Sequence, residues 1–162
     1  MSYRNLADAA AVTGDARYAG GGTKIWYMKP EVFRDFIMGP DWIQERKDLH
    51  GYDMPTPQTL SDTHILLGEV GERDLNQIWA MMQGENWSPQ REAQSLIKGK
   101  GLRHTSMSVG DVIQVGSRLF MVAGTGFEKL GSLRHQSLRL ARQNENLRAA
   151  LTDLLLGEGQ GD

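Results

Sequence analysis

Between positions 104 and 111 a histidine, three hydroxyls and a carboxylate crowd together: His104, Thr105, Ser106, Ser108 and Asp111. These are the groups of hydrolytic catalysis, in which a carboxylate orients an imidazole and the imidazole deprotonates a hydroxyl. Their spacing argues against that use. Alternate residues of an extended segment face opposite sides, and the surrounding sequence fixes no partner from elsewhere in the chain. No Gly-x-Ser-x-Gly elbow is present. The histidines, at 50, 64, 104 and 135, are far apart and lack the i, i+4 spacing of a helical metal pair. Without cysteine there is no thiolate catalysis and no thiolate metal site. Gly20, Gly21 and Gly22 precede a strand rather than join strand to helix, the wrong order for a phosphate loop. No catalytic, cofactor or metal constellation is therefore expected.

Binding chemistry has a better claim. Lys98, Lys100, Arg103 and His104, with Arg118 further on, make a basic cluster beside Trp87. Backbone charge and stacking of that kind can hold nucleic acid, although lysines also suit the carbonyl end of any helix. Residues 31 to 76 have the opposite sign, with ten acids against four bases, a balance of 4 − 10 = −6. Such a face can meet a basic protein partner. The tryptophans at 26, 42, 79 and 87 read as core or groove residues, Trp79 on a clear apolar face and Trp87, between Asn86 and Ser88, as the partly exposed anchor of a contact.

A chain of 162 residues, 40% hydrophobic and 23% charged, can bury a core without staples. Its net charge of −2 does not suit a protein devoted to phosphates. No apolar run reaches membrane-spanning length, and the N-terminus does not read as a secretory signal. The expected setting is the cytoplasm of a host cell, or a virion.

The elements that would position these residues follow from periodicity. "TKIWYM" alternates as a strand, and "PEVFRDFIM" is a helix with Pro30 at its first position, ended by Gly39-Pro40. A polar connector over 40–62 leaves room for a short helix from Trp42. "THILLGEV" lacks alternation, which suggests a central strand. Leu75, Ile78, Trp79 and Met82 fall at helical spacing, and a further helix starts with Ser88 as N-cap and Pro89 at N1. A hairpin follows, out over 112–115 and back over 119–123 around Gly116-Ser117. The order β-α-β-α-α-β-β predicts an α+β fold, a small and largely antiparallel sheet with helices on one face. Residues 1–22 read as a flexible or docking arm, 23–130 as the α+β domain, and 157–162 as a frayed tail.

Residues 131–156 read as an oligomerisation helix. Leu133, Leu140, Leu147 and Leu154 recur every seven residues, with Leu130, Ser137, Asn144 and Leu151 three positions before them. This is a leucine heptad with an asparagine at one a position, a pattern that favours a parallel dimer. Four buried leucines contribute about 1.5–3 kcal/mol each at most. A helix of this length is marginal alone in water and must pack on something. Self-association is expected through Leu133, Leu140, Asn144, Leu147, Leu151 and Leu154.

The run "HTSMSVGDVIQVGSRLFMVAGTGFEKL" resembles the YodL-like segment of proteins from phages, plasmids and conjugative elements. Upstream, "MQGENWSPQREAQSLIKGKGL" is similar to what precedes that segment in short mobile-element proteins. The resemblance covers 24–130 loosely and 80–130 well, and brings no catalytic residue. It implies an accessory protein carried by a mobile element. Taken with the residues, the expectation is a non-enzymatic, oligomeric protein that occupies a host-factor or virion surface, with a nucleic-acid-binding regulator as the alternative. In either case Trp87, Arg103 and His104 stand at the rim of a structural joint in which Gly110-Asp111 turns the chain into the hairpin.

Overall fold

In strand β1, Thr23–Met28, both alternating sets are apolar: Ile25 and Tyr27 on one side, Trp26 and Met28 on the other. A strand of that composition must be covered twice. The computed structural model, which describes residues 5–46, 53–131, 144, 145, 147–150 and 152, covers it twice. Strands β2 (His64–Val70), β3 (Val112–Val115), β4 (Arg118–Val122) and β5 (Phe127–Lys129) complete an antiparallel sheet in the order β2-β1-β3-β4-β5.

Against one face lie α1 (Leu6–Ala10), α5 (Leu75–Met81), α6 (Gly84–Trp87) and α7 (Ala93–Gly99), in a core with Ile25, Tyr27, Leu67 and Ile113. Against the other lie α2 (Pro30–Phe36), α3 (Pro40–Glu45) and α4 (Leu60–Thr63), with Met28, Val112 and Met121. The α+β class and the antiparallel sheet stand as expected. Helices on a single face do not, because β1, β3 and β4 each bury side chains on both sides.

Strand β2 is not central. It forms an edge of the sheet, and the N-terminal segment backs it. Asn5 caps α1 by accepting from the Asp8 amide at 2.9 Å, which lets buried Leu6 sit over Gly68. A Cβ on Gly68 would come 2.6 Å from that of Leu6, so only glycine permits this approach. Gly71 N–H donates to Arg17 O at 2.7 Å, and Tyr18 O–H to Met81 O at 2.6 Å. The reading of 1–22 as an arm is therefore corrected over its described part. Small Ala9 and Ala10 are fully buried, and their size is what allows the helix to lie close.

Ser88 is not the N-cap of α7, which is Glu92. Ser88 Oγ accepts from Ala93 N–H at 2.7 Å, and α7 begins there rather than at Pro89. The chain divides into two compact units after Leu130. In the second, Asn144 and Leu147 are helical and exposed; the predicted contacts of Leu133, Leu140, Leu151 and Leu154 lie outside the described residues.

Candidate functional site

The residues grouped at the outset do meet, in a different role. Asp111, fully buried, stands where the chain enters β3, seven residues after His104. His104 Nε2 lies 3.0 Å from its Oδ1 and 2.8 Å from its Oδ2. The same carboxylate accepts from Met28 N–H and from Ser108 N–H, each at 2.8 Å. Burial pushes the Asp111 carboxyl above the usual carboxylate range, while His104 and the two amides pull it partly back. The His104 ring stacks on Tyr27 at 4.6 Å between centroids, and Phe33 meets it edge-on at 5.3 Å.

Two of the three hydroxyls, those of Ser106 and Ser108, are spent on the backbone. Ser106 Oγ accepts from Gly84 N–H at 2.8 Å, and Ser108 O–H donates to Ser106 O at 3.0 Å. Thr105 O accepts from Tyr27 O–H at 2.7 Å and from Trp87 Nε1–H at 3.2 Å. Gly110 follows at φ +98°, and a Cβ there would fall 2.7 Å from Phe36 O, so the close turn requires glycine. The arrangement is a clamp that holds residues 104–111 to β1, α2 and α6.

A second histidine locks the clamp from below. Buried His64 donates from Nε2 to Gly110 O at 2.8 Å, which leaves Nδ1 to accept from Thr63 O–H at 2.8 Å. Burial, with the nearby charges of His104 and Lys29, lowers its pKa from 6.5 to about 4. The unfolded chain therefore takes up a proton near 6.5 while the folded one resists until about 4, so stability is lost as pH falls through that window. The loss is roughly 3 kcal/mol when complete. Asp111 acts in the opposite sense, since a raised carboxyl binds its proton more readily in the fold. Comparing denaturation of the wild type and His64→Gln between pH 7 and 4 isolates the histidine: the variant is expected to show the flatter profile. Equal slopes would remove His64 from the account.

The outer side of the clamped loop forms one wall of an open groove of about 480 Å³. Met107 and Val109 line it together with Trp79 of α5, Ile37 at the end of α2, Val122 and Phe127. Trp79 is 43% exposed and Ile37 40%. The sequence leaves Trp79 as a core or groove residue on an apolar helix face, and the groove is where it lies. In the fold Ile78 and Met82 take the inward stripe of α5, and Trp79, next to Ile78 around the helix, turns outward.

Trp87 is fully buried and bonded to Thr105 O, not partly exposed, because α6 turns its ring under the 104–111 loop. His104 likewise is engaged by Asp111 and two rings and is not a rim residue for binding. Lys98, Arg103 and Arg118 are exposed and Lys100 half-buried. Arg118 pairs with Val115, at the far end of β3 from Asp111. No three histidine or acidic side chains among the described residues are grouped to hold a metal ion, and no described helix is long and apolar enough to cross a membrane. No family model, curated protein or solved structure matches the chain.

Proposed function

We propose that this chain is a protein-binding accessory protein of a phage or other mobile element, which acts by occupying the surface of a host-factor or virion protein through the Trp79 groove. Its C-terminal leucine repeat joins copies of it. The observation that carries this reading is an exposed tryptophan flanked by Ile37, in a groove whose wall is held rigid by the Asp111 clamp. Exposed aromatic side chains beside a preformed pocket dominate binding energies because they bury much area and lose little freedom. The clamp means that this area is offered without an ordering cost on binding. Hydrolysis is the weaker reading, since Ser106 and Ser108 are committed to the backbone and His104 to Asp111. The mobile-element setting rests on the YodL-like resemblance of residues 80–130.

Two measurements test this. A partner captured by the full chain is expected to be retained after nuclease treatment and lost with Trp79→Ser, which alters an exposed side chain and leaves the fold intact. Retention on heparin that falls steeply with salt, indifferent to Trp79, would instead favour nucleic acid. Light scattering of the full chain is expected to give a dimer or larger, and of a chain truncated after Gly131 a monomer. Equal protomer counts for both would remove the tail from the proposal.

A further inference from the structure

The hydrogen-bond register of the last hairpin decides which backbone groups remain open. Ala123 N–H donates to Gly126 O at 2.8 Å and Leu130 N–H to Leu119 O at 2.9 Å. Between these two rungs Met121 lies opposite Glu128. Bonded and non-bonded pairs alternate along an antiparallel ladder. Glu128 therefore turns its amide and carbonyl inward to β4, and Phe127 and Lys129 turn theirs outward, away from the sheet. Strand β5 is the last strand in the order, and no described strand pairs with that outer side. The opposite edge, β2, is backed by the N-terminal segment. The open edge starts at Phe127, which also lines the groove.

An edge with unpaired donors and acceptors selects an extended chain, since a helix has none to return. None of the described residues that line the groove is charged, so what it accepts from such a segment is an apolar side chain.

We propose that the occupant of this site is an extended segment of a partner protein that adds to the sheet beside β5 and seats an apolar side chain against Trp79. This rests on the groove reading above and specifies its ligand. In such a complex the Phe127 and Lys129 amides become ladder bonds. Side chains of the added strand alternate, so those on the Phe127 side of the sheet approach the groove and the others face away.

The probe is a displayed library of random octapeptides selected on the full chain, and the best binder synthesised. Lys129→Pro removes only an outward N–H at an exposed edge position, where proline is tolerated. Trp79→Ser tests the groove by itself. Selected peptides are expected to place apolar residues at alternate positions. Lys129→Pro is expected to weaken their binding about tenfold or more, with unchanged thermal unfolding of the protein. Exchange of the Phe127 and Lys129 amides is expected to slow when peptide is bound.

Binders weakened by Trp79→Ser but not by Lys129→Pro, with those amides unprotected, would overturn the strand mode and leave the groove reading standing. Binders indifferent to both variants, or no binders, would overturn both. A full chain whose own mass falls with Lys129→Pro would make the edge a contact between copies and also overturn the proposal.

Discussion

Replacing Asp111 by alanine is expected to lower the free energy of unfolding by about 3–5 kcal/mol. The carboxylate is fully buried and satisfies two backbone amides and an imidazole at once. Its removal strands the buried Met28 N–H and the half-buried Ser108 N–H and His104 Nε2, and each buried orphan costs about 1–3 kcal/mol. Asp111→Asn keeps an acceptor but offers two donors to sites that need none, so it is expected to fall between alanine and the wild type. Urea denaturation at neutral pH reads the effect as a lower midpoint with an unchanged slope. A loss below about 1 kcal/mol in the alanine variant would show that the clamp does not hold the fold. A double-mutant cycle with His104→Ala then measures the pair itself, and residues this close are expected to couple by about 0.5–3 kcal/mol.

Trp87→Ala is expected to cost a similar amount, about 3–5 kcal/mol, for a different reason. The indole fills the layer between α6 and the sheet and is fully buried. Truncation leaves a cavity that neighbouring Leu96 and Met82, themselves buried, cannot collapse into without leaving their own contacts. Its Nε1–H also shares Thr105 O with Tyr27 O–H. Trp87→Phe keeps most of the volume and leaves Tyr27 as the donor to that carbonyl, so it is expected to cost clearly less than alanine. Had Trp87 been a surface anchor, alanine would change binding and leave the thermal midpoint nearly fixed. Trp79→Ser is the converse case, expected to move binding and spare stability. The two tryptophans thus separate packing from recognition within one protein.

The strands and helices were legible where a pattern repeats within one element. The run 23–28 alternates and is β1 over Thr23–Met28; Pro30 opens α2; Gly116-Ser117 turns β3 into β4. The three residues of β5 carry no period of their own, and they pair only because β4 offers an edge. The turn part of the clamp was also open to reading. Ser108 and Asp111 bond each other across a short Ser-x-x-Asp turn, which is local chemistry. Its other half was not, since Met28 N–H comes from 83 positions away.

What the sequence determined by itself was the inventory: a strand at 23–28, a turn at 108–111, no cysteine, and a heptad of leucines after the sheet. Periodicity and turn chemistry act over a few residues, so they can be read in order along the chain. Only the tertiary structure decided which tryptophan is wet, which strand is an edge, and that His104 and Asp111 close a clamp instead of opening a reaction. Those outcomes depend on which surfaces compete to leave water, and that competition runs between segments far apart in the chain.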